Sequence, residues 1–164
     1  MLKDSIVRCG RVSSRSIFLV ITSLLVGGSW PVIAQTPSCT PLNVIGGKGG
    51  TQVKKTISPP GLLVSRNNWN TDFAVPGGAN YSNYKATIIA DNLGEYNVEV
   101  YLKYSDKTSD QIYKNTKVPL KKGEPLIVTG APSSSSKQPY QVNIQVGGAT
   151  KVGKTYIASV VGCP

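Results

Sequence analysis

Cys39 and Cys163 stand near the two ends of the chain that remains once an N-terminal leader is removed, and no other cysteine lies between them. Two cysteines in an oxidising compartment make the simplest disulfide arithmetic. Their bond would clasp the first and last segments of one domain together. Closing a loop of that length stabilises a fold by about 4 to 5 kcal/mol in the chain-entropy picture. The alternatives are two free thiols or a bridge to another chain. A thiolate metal site is a poorer reading, because such sites use four ligands and the sequence has no histidine.

The leader is read over residues 1–34. Lys3, Arg8, Arg11 and Arg15 form a basic front, followed by an apolar run from Ile17 to Val26. Gly27-Gly28-Ser29-Trp30-Pro31 then loosens the chain before the small-residue site Val32-Ile33-Ala34. Basic, apolar, then small is the order of a secretory signal. The run is shorter than the roughly 20 apolar residues that a membrane-spanning helix needs. An uncleaved anchor is the rival reading. Cys9 precedes the run and leaves with the leader. The expected organisation is a signal peptide over 1–34, a flexible segment over 35–50 carrying Cys39, and a folded domain over 51–164. Such a protein would be secreted or periplasmic, with no transmembrane segment after processing.

Past the leader, short β-branched and aromatic runs alternate with clusters of Gly, Pro, Asn, Asp and Ser, as in an all-β domain. Strands are expected at Thr51–Ser58, Leu62–Ser65, Phe73–Val75, Tyr84–Ala90, Tyr96–Ser105, Gln111–Val118, Pro125–Thr129, Tyr140–Val146 and Thr155–Val161. No sustained helical stripe interrupts them, so a parallel βαβ sheet is disfavoured. Tyr96, Val98, Val100, Leu102 and Tyr104 alternate onto one face of the clearest strand. Ile112, Thr116 and Val118 would continue that buried face on the returning strand, with Tyr113, Asn115 and Lys117 outward. One buried and one wet face predicts a single antiparallel β-sandwich of seven to nine strands, immunoglobulin-like or jelly-roll-like, with the disulfide joining its terminal segments.

Gly148-Ala149-Thr150-Lys151-Val152-Gly153-Lys154-Thr155 matches the phosphate-cradling pattern G-x-x-x-x-G-K-[ST]. That loop needs a helix after it, whose N-terminal amides hold the phosphates. Tyr156 to Val161 reads as strand instead, so no nucleotide partner is expected. Without histidine the commonest general base is missing, and no catalytic residue or cofactor is assigned. The seven carboxylates after the leader leave a two-carboxylate hydrolase as a third-ranked reading. Asp106 and Asp110 could offer oxygens to calcium, but an ordinary solvated turn explains them, and no metal site is assigned.

Recognition surfaces remain. Tyr101 and Tyr113 are expected outward on adjacent strands beside Lys103 and Lys117, a surface able to stack on a sugar ring or contact an acidic polymer. Cross-strand aromatic pairing explains the same pair structurally. Trp69 sits in a polar loop that is either a binding loop or, as the default reading, one whose tryptophan caps the core. The leader holds four of the 18 basic and one of the eight acidic residues, leaving 14 positive and seven negative charges, a net +7. Arg66 is the only arginine among them, which argues against nucleic acid as partner. The leading expectation is an exported, non-enzymatic binding or adhesion module for anionic polysaccharide, other carbohydrate or a cell-envelope surface. The alternative is an assembly subunit that pairs through an exposed strand edge.

Overall fold

A computed structural model describes residues 38–46, 49–61 and 67–164. The expected signal peptide and the strand expected at Leu62–Ser65 lie outside the described residues. Among these residues the chain forms ten strands: β1 (Thr40–Pro41), β2 (Asn43–Val44), β3 (Gln52–Thr56), β4 (Asn70–Ala74), β5 (Asn83–Ala90), β6 (Gly94–Lys103), β7 (Ser109–Leu120), β8 (Pro125–Gly130), β9 (Gln141–Gly147) and β10 (Thr155–Cys163). A single 3-10 turn, Ala149–Lys151, precedes β10.

The strands form two five-stranded sheets, with every pairing antiparallel. Sheet A runs β1-β10-β5-β8, and β3 joins β10 on the flank that β1 also uses. Sheet B runs β2-β4-β9-β6-β7. Both bury the alternate residues that their sequences offer. In β6, Tyr96, Val98, Val100 and Leu102 are fully buried, while Asn97, Glu99, Tyr101 and Lys103 on the other side stay partly open. Tyr84, Ala86, Ile88 and Ala90 from β5 meet them across the sandwich with Tyr156, Ala158 and Val160 from β10. Tyr96 donates its hydroxyl to the Asn92 carbonyl at 2.8 Å, and Tyr104 donates to Asp110 at 2.5 Å. The Tyr156 hydroxyl has no hydrogen-bond partner among the described residues.

Cys39 and Cys163 are disulfide-bonded across a separation of 124 residues. The segment around Cys39, expected to be a flexible lead-in, is built into both sheets. Thr40 pairs with Gly162 in sheet A, and Asn43 pairs with Ala74 in sheet B. Between them Leu42 is buried, and its amide donates to the Val160 carbonyl at 2.9 Å. These two-residue strands raise the count above the expected seven to nine. Three things hold the segment there together: the ladder to β10, the burial of Leu42 and the disulfide.

The second difference concerns β7. Its pairing with β6 slips between Tyr96 and Val98, and again between Val100 and Tyr101. Each slip inserts one extra residue on β7, a β-bulge that reverses which residues face inward. Between the bulges Asn115 lies opposite Val98, Lys114 opposite Glu99, and Tyr113 opposite Val100. Tyr113 therefore shares the inner side of Val100 and packs, partly buried, against the core. It is not outward beside Tyr101, and Thr116, expected inside, is exposed.

The Gly148–Thr155 loop leads directly into β10, whose Thr155 is already in the ladder opposite Thr56. A strand, not a helix, follows the loop, so no helix N-terminus after it holds a phosphate. Trp69 caps the core at this end: its indole nitrogen donates to the Ser58 carbonyl at 2.9 Å, and its ring lies on the backbone of Gly147.

Candidate functional site

The outer face of sheet B is a polar surface assembled from four strands. Antiparallel register places Ala74, Gln141, Lys103 and Ser109 in one row, and Asp72, Asn143, Tyr101 and Gln111 in the next. Asn70, Gln145, Glu99 and Lys114 form the third. An outward sheet face is ordinarily a scatter of solvated side chains. Here Asn143 is only 2% exposed and Gln141 8% exposed, although both point away from the core. They are covered by their own neighbours and held by them.

Two carboxylates organise the face. Asp72 on β4 accepts from the Asn143 side-chain amide at 2.6 Å and from the Gln141 amide, and the Lys103 ammonium lies 3.5 Å away. Glu99 on β6 accepts from the Tyr101 hydroxyl and from Gln111 at 3.3 Å, with Lys114 at 3.3 Å from its other oxygen. Gln111 also donates to the Tyr101 hydroxyl at 2.5 Å. The hydrogen bond to Glu99 holds the Tyr101 phenol above its ordinary range, with partial burial adding to the effect. The Tyr101 ring is thus held in place through its hydroxyl. Lys103 and Lys114 are both matched by carboxylates, so the three rows carry no net charge.

A second aromatic borders this face. Tyr140 is 50% exposed, and its amide donates to the Lys103 carbonyl at 3.0 Å. It lines a hollow of about 150 Å³ together with Lys103, Lys107, Thr108 and Ser109. The β6–β7 turn that closes the hollow is held by an internal cation. The Lys137 ammonium lies 2.7 Å from Asp106, 2.8 Å from the Thr108 hydroxyl, and 4.5 Å from the centre of the Tyr104 ring. Hydrogen bonding to Lys137 and Thr108 holds the Asp106 carboxyl far below its ordinary range. Asp110 turns instead to the Tyr104 hydroxyl and the Ser133 amide. The two aspartates weighed for calcium therefore serve different partners, and an ammonium already neutralises the first.

Of the four side chains expected to form a binding surface, the structure brings Tyr101 and Lys103 together on this face. Tyr113 is inside, and Lys117 is an exposed residue of the bulge between Tyr96 and Val98, its amide bonded to Asn115. Sequence reasoning passed over Asp72, Glu99, Gln111, Tyr140, Gln141 and Asn143. The alternation of Gln141, Asn143 and Gln145 was a usable signal: three amides on one outward face are more than solubility requires.

Fold and face together define a disulfide-clasped, antiparallel β-sandwich with a fixed polar surface on one sheet. No protein-family profile matches the chain, and no curated protein matches it. Among solved structures it is similar to a variant of a family 29 carbohydrate-binding module, with 8% identity and a TM-score of 0.43 over 77% of this chain and 91% of that one. It is similar also to another structure of a family 29 module, with 8% identity and a TM-score of 0.38 over 78% and 89%. A Clostridium thermocellum endo-1,4-β-D-xylanase structure complexed with xylohexaose gives 11% identity and a TM-score of 0.33 over 75% of this chain and 26% of that one. The fold assignment rests on the strand pairing described above, not on these slight likenesses.

Proposed function

We propose that this protein is an exported, non-enzymatic carbohydrate-binding sandwich that holds an uncharged glycan against the outer face of sheet B. The observation that carries this reading is the charge-balanced, hydrogen-bonded set Asp72, Lys103, Glu99, Tyr101, Gln111 and Lys114. Carboxylates and amides with fixed orientation suit the vicinal hydroxyls of a sugar, which both donate and accept. Tyr101 and Tyr140 supply apolar ring faces for the C–H side of a pyranose. Because each lysine on the face already has a carboxylate, an acidic polymer would gain little there and would have to displace existing ion pairs. The general excess of positive charge lies elsewhere on the molecule. The disulfide supports placement outside a reducing compartment.

Isothermal titration calorimetry against soluble neutral β-glucans, xylans and mannans, with a uronic-acid polymer alongside, tests the reading. At least one neutral polymer should bind, with little dependence on salt. Tyr101→Ala should weaken that binding by tenfold or more, corresponding to about 1.4 kcal/mol or more. Failure of every neutral glycan to bind, or salt-suppressed preference for the uronate, would refute it.

A further inference from the structure

Sandwich sheets end in strands with unpaired backbone groups, and proteins guard such edges with charge, bulges, proline or brevity. Most edges of this molecule follow that rule. β1 and β2 are two residues long. β3 carries Lys54 outward and turns Lys55 inward, where its ammonium donates to the Asn70 carbonyl at 2.7 Å and the Thr71 hydroxyl at 3.2 Å. β7 carries two bulges as well as Lys114 and Lys117. β8 is the exception. Among the described residues it pairs with β5 alone, and after Pro125 it reads Leu126-Ile127-Val128-Thr129-Gly130, with no charge and no bulge in its register. Ile127 is 56% exposed at its middle.

We propose that β8 is a dimerisation edge, and that its occupant is β8 of a second copy of this chain in antiparallel register. A two-fold pairing sets a strand against itself, so any charge on it lies near its own copy. Like charges opposed across a ladder are destabilising. Through β3 or β7 such pairing would gather lysines. Through β8 it gathers isoleucine, valine and threonine. Antiparallel self-pairing requires a two-fold axis perpendicular to sheet A, which gives a closed dimer rather than a fibre. Sheet A then continues from one copy into the next, and each Ile127 is covered near the axis.

The symmetry has a consequence for binding. A two-fold axis normal to the sheet leaves the outer faces of both copies of sheet B on the same side of the dimer. If the glycan reading above holds, the dimer presents two parallel binding faces to one polymer, and the second contact forms at the effective concentration of the first.

Sedimentation velocity on the natively produced protein over a wide concentration range tests the edge. A reversible monomer–dimer equilibrium is expected. Ile127→Lys and, separately, Thr129→Lys should each abolish the dimer while leaving the circular dichroism spectrum unchanged. Ile45→Lys, in the exposed turn that follows β2, should leave the dimer intact. A purely monomeric wild type, or a dimer that survives both β8 substitutions, overturns the proposal. In a glycan assay the monomeric variants should keep affinity for a short oligosaccharide and lose tenfold or more on an immobilised polymer. Loss of the dimer with no glycan bound by either form would retain the edge and reject the face.

Discussion

Replacing Cys39 and Cys163 together with alanine isolates the contribution of the terminal clasp. The native contacts around it do not depend on the sulfur bond alone: Thr40 and Pro41 pair with β10, and Leu42 is buried between the sheets. The substitution should therefore act mainly on the unfolded chain. For a separation of 124 residues, the chain-entropy relation gives about 16 cal/mol/K, or about 5 kcal/mol near room temperature. The unit from Gln35 to Pro164 should unfold with an entropy of about 0.27 kcal/mol/K, so the same loss lowers Tm by about 15 to 20 °C. Urea denaturation of both forms checks the mechanism as well as the size. The alanine variant should show a larger m-value, because its unfolded state is no longer held in a loop and exposes more surface. A cost below about 1 kcal/mol, or an unchanged m-value, would refute the argument that the bond works by restricting the unfolded chain.

Two further outcomes follow from packing and from titration. At Gly147 an added Cβ would lie 2.4 Å from the Trp69 ring, so Gly147→Ala should cost about 1 to 3 kcal/mol by thermal denaturation and shift Trp69 fluorescence. Gly77→Ala, where nothing lies within 4 Å, should leave both readouts unchanged. Burial pushes the phenols of Tyr84 and Tyr96 above their ordinary range, and burial with the Asp110 hydrogen bond pushes Tyr104 up to about 12. A folded pKa above the unfolded value of about 10 contributes stability that is present below pH 10 and lost as pH rises toward 12. Urea midpoints should therefore fall between those limits, and Tyr104→Phe should flatten the fall. A midpoint that holds steady or rises there would contradict the assignment.

Period-two alternation along β6 made its inner face legible in advance, because within one strand the pleat alone decides which side a residue takes. The cysteine count past the expected leader made the terminal clasp legible in the same way, by leaving Cys39 and Cys163 one partner each in that part of the chain. The returning strand was not readable by that rule. Its bulges shift Tyr113 from the solvent side to the core side, and a bulge is settled between neighbouring strands rather than within one. The inclusion of residues 40–44 in both sheets likewise depends on where β10 and β4 offer free edges. The outer face of sheet B shows the division most clearly. Asp72, Glu99, Gln111 and Asn143 are far apart in the sequence and ordinary one by one. Only inter-strand register, a property of the assembled sheet, brings them within hydrogen-bonding distance.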